Sequence, residues 1–189
     1  MPQYSAVGTI EVAAYSVLVN LVGAVALPAW GLGMAGATLV GTAMGAKQLE
    51  DANQWAWDVV KLGSLTMFLL GVPFWLFPEF ILSAFIHEEE ALQAAVLPCQ
   101  ILGLMIGING IGYLFASLLN GAGDVRRVMY VNMATQYLVL LPAAYFFGVY
   151  LGYGLVAIWL AHQVGFRALN SAILAGLWRQ GRWRRIELW

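Results

Sequence analysis

Between Val7 and Ala46 the chain carries a single charged side chain, Glu11, and the apolar runs that follow are nearly as long. About 20 consecutive apolar residues suffice to cross a bilayer as a helix, which satisfies its own backbone polar groups where water cannot reach them. The rest of the sequence agrees: 61% of the 189 residues are hydrophobic and only 10% are charged, with a mean hydropathy of +0.77. An ordinary soluble domain has about 25% charged residues. The chain therefore reads as an all-α polytopic membrane protein whose first partner is the lipid bilayer.

At about 1.5 Å per residue, the stretch 7–46 is too long for one crossing and too short for two with a turn. One long helix, bent near Pro28–Gly36, fits it best. Further spans are expected at about 55–77, 91–120, 128–149 and 154–178, giving about five transmembrane helices in a single domain, 1–178. A basic tail follows at 179–189. The polar runs Lys47–Gln54 and Gly121–Arg127 read as loops, Glu79–Ile86 as a short interfacial segment, and His87–Glu90 as an acidic loop. Lys47, Arg126, Arg127, Arg179, Arg182, Arg184 and Arg185 all fall on one side of this arrangement. Because lysine and arginine are retained on the cytoplasmic side, the C-terminus is expected in the cytoplasm, and the acidic loop and N-terminus outside. An N-terminus outside predicts a further helix upstream. The amphipathic tail is expected to lie on the membrane surface, attracted by anionic lipid.

Within the first span Gly33, Ala37, Gly41 and Gly45 recur every four residues and form one bare stripe on a helix. In lipid such a stripe lets another helix approach closely, so these four are the predicted helix-packing residues. Neighbouring patterns carry less. Gly31–Gly36 matches G-x-G-x-x-G, but no strand precedes it as a dinucleotide site requires. His87-Glu88-Glu89-Glu90-Ala91 fails the zinc-protease pattern at its last position. Cys99 sits in an apolar run as a small packed hydrophobe. The net charge of −1 excludes a nucleic-acid surface, which needs a basic excess. With no nucleophile, base or metal set, neither an enzyme nor a bound cofactor or metal is expected.

Polar residues inside spans say more, because an unpaired one in hydrocarbon is costly and must face a partner or a wet cavity. Asn109 and Tyr113, four apart, share a face of the third span; Gln100 lies on the opposite face. Glu11, near the outer end of the first helix, is expected to be solvated at the interface. In the fifth span His162 and Arg167 are five apart, roughly 140° round the helix, so they pair poorly within it. They are candidates for a polar relay: histidine is the side chain whose ordinary titration lies near neutral pH, and Arg167 either ties the bundle together or meets a substrate or ion.

Several runs, in order, resemble one family. Glu11-Val-Ala-Ala-Tyr, GLGMAGATLVGTAMGAK, DANQWAW, WLFPEFILSAFIHEEEAL, LLNGAGDVRR, YLGYGLVAIWLAH and RQGRWRRIEL are similar to successive parts of the second lobe of the multidrug and toxic compound extrusion (MATE) transporters. The resemblance implies an incomplete six-helix lobe of a twelve-helix, two-lobe transporter whose partner is a missing N-terminal lobe. It implies export of amphipathic or cationic drugs and toxic compounds across the inner (plasma) membrane, driven by Na+ or H+ as the coupling ion. It also makes Asn20, Asn109 and Tyr113 candidate lining of the substrate cavity. In some branches a carboxylate about a dozen residues before the G-x-G-D loop takes part in coupling. The matching position here is Asn109, an amide that cannot exchange a proton. Two other readings stay open: a non-transporting fragment or assembly module packing through the glycine stripe, and a lipid-linked precursor flippase of related architecture.

Overall fold

The computed structural model describes residues 3–146 and 161–186. The segment 147–160, where the fourth and fifth predicted spans meet, and the side chain of Glu11 lie outside the described residues. Helix α1 runs Gln3–Gly45 without a break at Pro28. It is followed by α2 (Leu49–Leu76), the short α3 (Pro78–Ser83), α4 (Glu89–Gly121), α5 (Val125–Thr135), a π turn (Gln136–Leu140) and α6 (Leu141–Ala144). A second π turn (Ala161–Phe166) leads into α7 (Arg167–Arg179), and a 3-10 turn (Arg182–Arg185) closes the described chain. The protein is all-α. Among the described residues three helices, over Ser16–Gly45, Leu49–Leu76 and Ala91–Gly121, are long and apolar enough to cross a membrane.

Helix α2 shows which solvent this fold is built for. Its buried residues, Ala52, Ala56, Val60, Gly63, Met67 and Gly71, are spaced by three or four and form one stripe of mostly small side chains. Its large apolar residues point the other way: Leu62, Leu65, Phe68, Leu69 and Leu76 are all exposed. In water an apolar face of that kind would drive aggregation. Against lipid tails it costs nothing, so the helix can give its small side to its neighbours.

Helix α4 is the axis of the bundle, and three glycines nine residues apart each admit a different partner. A Cβ built on Gly103 would lie 2.8 Å from both Gly71 O and Trp75 N of α2. One on Gly112 would lie 2.9 Å from Ser171 Cα of α7, and one on Gly121 would lie 2.6 Å from Ala37 Cα of α1. No real side chain tolerates these separations, so the backbones themselves are in contact. The α1 stripe meets this axis over the last turns of α4. Gly33 faces Ser117 and Tyr113, Ala37 touches Gly121, and a Cβ on Gly41 would stand 3.2 Å from Gly121 O. Gly45 faces open space, because α4 has already ended opposite Gly41.

The ends of α1, α2, α4, α5 and α7 that carry the loop arginines converge on one apolar cluster. It contains Val40, Met44, Ala56, Phe115, Leu118, Val128, Trp178 and Trp183. Left-handed residues close the helices here. Gly123 (φ 85°) ends α4, with Gly123 N–H donating to Asn120 O and Asp124 N–H to Leu119 O. Lys47 (φ 59°) ends α1 with the same pair of bonds, to Met44 O and Ala43 O.

The polar runs are shorter as loops than their composition suggests. Residues Leu49–Gln54 already belong to α2, whose first turn holds Glu50 and Asp51 where the helix dipole favours acids. Arg126 and Arg127 belong to α5, and Arg127 donates to the nearly buried Asp124 at 3.0 Å. The basic tail also differs from a free surface segment, because its aromatic residues have a socket in the protein. Trp183, 1% exposed, stacks on Trp178, 2% exposed, with ring centroids 4.3 Å apart. Trp183 Nε1–H donates to Trp178 O, and Trp178 Nε1–H donates to Asn53 Oδ1 on α2. Arg184 reaches Glu50 at 3.0 Å.

Three substitutions test this packing. Gly121→Ala forces α1 from α4 and should cost about 1–3 kcal/mol, lowering the thermal midpoint in detergent. Gly45→Ala, with open space at its Cβ, should leave that midpoint unchanged or raise it. Trp183→Ala should empty a filled aromatic site at a cost of about 3 kcal/mol. Limited trypsin digestion should then cut after Arg179 to Arg185 far faster than in the unaltered chain.

Candidate functional site

Asn109, Tyr113 and Ser117 follow one another at four-residue steps along α4 and so line one of its sides. What faces them is decided by Gly112, which brings α7 against this part of α4. Ser171 Oγ, on α7, then bridges the two helices, meeting Ile108 O at 3.0 Å and its own helix's Arg167 O at 2.8 Å. This fastening sets Arg167, one turn earlier, beside Asn109. A second fastening joins α7 to α5, where Asn170 Nδ2–H donates to Asn132 Oδ1 at 2.9 Å.

The result is a polar, half-open cavity of about 240 Å³ between α4, α5 and α7, lined by Asn109, Tyr113, Asn132, Arg167 and Asn170 among others. A second, apolar cleft lies against α1, between Val22, Ala29, Trp30, Met67 and Ile106. Asn109, Tyr113 and Arg167 line both and form the boundary between them. Tyr113 is held there by Trp30, whose ring lies 5.9 Å away at 26°. Among the described residues three buried polar atoms have no partner: Asn109 Oδ1, Asn170 Oδ1 and Arg167 Nε. Among the described residues the ion pairs are Lys61–Asp58, Arg127–Asp124 and Arg184–Glu50, none of which involves Arg167. No group of histidine, cysteine and acidic residues among them could hold a metal.

The predicted site residues are thus distributed unevenly. Asn109, Tyr113 and Arg167 come together. Asn20 is exposed on α1 and lines neither space. His162 stacks on Phe166, with centroids 5.4 Å apart at 16°, in the π turn before α7 and lines neither space either. The two π turns, Gln136–Leu140 and Ala161–Phe166, pack against each other next to the cavity, a kind of irregularity common beside functional sites. Sequence reasoning gave no role to Asn132, Asn170, Ser171 or Trp30. A signal was present for two of them: Asn170 and Ser171 stand three and four residues after Arg167 and must share its side of α7.

A helical bundle with its large apolar side chains outward and a polar cavity between its helices defines a multi-pass membrane protein. The chain belongs to the MatE family, whose profile matches residues 4–146. It is 26% identical over 181 residues to a probable multidrug resistance protein NorM of Pseudomonas putida, covering 93% of this chain and 39% of that protein. It is 29% identical over 156 residues to Protein DETOXIFICATION 29 of Arabidopsis thaliana, covering 82% of this chain and 31% of that protein. A probable multidrug resistance protein NorM of Thermotoga maritima is 25% identical over 162 residues, 84% of this chain and 34% of its own length. The chain therefore spans well under half the length of these curated relatives. No solved structure matches it.

The α5–α7 fastening can be measured. A double-mutant cycle on Asn132→Ala and Asn170→Ala should give a coupling of about 0.6 kcal/mol and no more than about 1.7 kcal/mol, the range for hydrogen bonds between membrane helices. Purely additive midpoints in detergent would show that the pair does not hold the cavity wall.

Proposed function

We propose that this chain forms one lobe of a two-lobe efflux transporter that exports amphipathic or cationic compounds by alternating access. One observation carries the reading: a polar cavity beside an apolar cleft, built between the helices of a membrane bundle in a chain whose family includes multidrug resistance proteins. The cleft suits an apolar body and the cavity a polar end that is not itself cationic, since Arg167 lines it. A full transport cycle needs a second lobe against which this one can rock, and the relatives' greater length leaves room for it.

The membrane is the plasma membrane and the tail faces the cytoplasm. This orientation is supported by Lys47, Arg126, Arg127, Arg179, Arg182, Arg184 and Arg185 belonging to the helix ends that converge on one cluster. Transport is driven by an inward Na+ or H+ gradient. Asn109 cannot carry the proton itself, because an amide does not titrate, and Arg167 beside it disfavours a bound cation. The coupling group is therefore placed elsewhere in the two-lobe protein.

Ethidium accumulation in cells carrying the chain with and without the coding sequence upstream of it tests this reading. The two-lobe form should lower accumulation, and selective collapse of either the sodium or the proton gradient should abolish the effect. Equal accumulation in cells with and without the two-lobe form would refute efflux.

A further inference from the structure

Arg167 is the charged residue that lines both the polar cavity and the apolar cleft, and neither space is lined by a carboxylate among the described residues. A guanidinium stays protonated in any protein environment. It is costly inside a bilayer without a counter-charge, so an arginine held there with Nε–H unpartnered is a functional position. The walls around it differ. On one side stand Val22, Ala29 and Trp30; on the other, the Asn132–Asn170 amide pair. Asn109 lines both spaces with Arg167, and its amide carries an NH2 donor that a carboxylate can accept from.

We infer that this lobe binds an amphipathic monocarboxylate, its carboxylate on Arg167 and Asn109 and its hydrocarbon body along the Val22–Trp30 wall. The planar fork of arginine matches a carboxylate's two oxygens. A single guanidinium balances one negative charge, which favours a carboxylate over a phosphate dianion. At about 240 Å³ the polar cavity is smaller than the roughly 300–1,000 Å³ of pockets that enclose drug-sized ligands, so it takes a head group; the open apolar cleft, about 50 Å³, takes the first part of the hydrocarbon body, and the rest lies along α1 at its mouth. Arg167 repels an ammonium head at the same place, so a cationic compound exported by the two-lobe form seats its charge outside this cavity. The inference deepens the transporter reading, resting on it for what the ligand is for; the binding itself does not depend on transport.

The test is calorimetric titration of the full chain in phosphatidylcholine nanodiscs, with empty nanodiscs as baseline. Octanoate should bind saturably, and acetate, octanamide and octylammonium each at least about tenfold more weakly, as loss of a charge-assisted hydrogen bond or of the apolar contact requires. Arg167→Gln should weaken octanoate at least about tenfold, and Arg167→Lys should fall between the two because lysine lacks the fork. If Arg167→Gln does not fold, as judged by helical circular dichroism, the comparison of octanoate with octanamide on the unaltered chain decides alone. Octanamide or octylammonium binding as tightly as octanoate, unchanged affinity in folded Arg167→Gln, or no saturable octanoate binding would each overturn the inference. Ethidium efflux by the two-lobe form separates the two claims: octanoate binding without efflux counts against transport only, and efflux without octanoate binding counts against this site only.

Discussion

The backbone contacts of α4 at Gly103, Gly112 and Gly121 are the constraint on which the remaining structure depends. Lipid tails are as apolar as leucine, so burying leucine between membrane helices gains little. What does gain is close van der Waals contact, and glycine makes it available over the whole length of a helix. Each of the three glycines receives a different neighbour, α2, α7 or α1. In water so many glycines would weaken a helix by about 1 kcal/mol apiece; here they set the distances at which every other contact forms.

The polar site follows from one of those distances. Only because α7 lies against Gly112 can Ser171 reach Ile108 O, and only then does Arg167 stand beside Asn109 and Tyr113. Packing and polarity are thus one problem in this bundle. The small residues bring helices together, and the polar residues fill the place where they do not quite close.

Much of this was legible in the sequence, up to the point where two helices must be placed side by side. The stripe Gly33, Ala37, Gly41 could be read from its four-residue period, but not that the contact stops before Gly45, since the end of the stripe is set by where α4 ends. The shared face of Asn109 and Tyr113 was likewise readable within one helix. Arg167 beside them was not, because periodicity along α7 says nothing of its distance from α4. Polarity misplaced the helix ends: the run Leu49–Gln54 is wet enough to be a loop yet forms the first turns of α2, with its acids at the favourable end of the dipole. For the tail, a basic amphipathic composition suits a lipid surface, and nothing in it announces that Trp183 fits against Trp178.

That last fit has a consequence for how the protein is made. The socket for Trp178 includes Asn53, which is 125 residues earlier in the chain, and Arg184 meets Glu50 across 134 residues. During synthesis the start of α2 is exposed long before the segment that covers it has been translated. The cluster at this end of the bundle is finished late, by long-range contacts that form slowly relative to local ones. Until then, an open aromatic site faces whatever quality-control machinery attends the nascent chain, and shortening the chain before Trp178 would leave that site open for good.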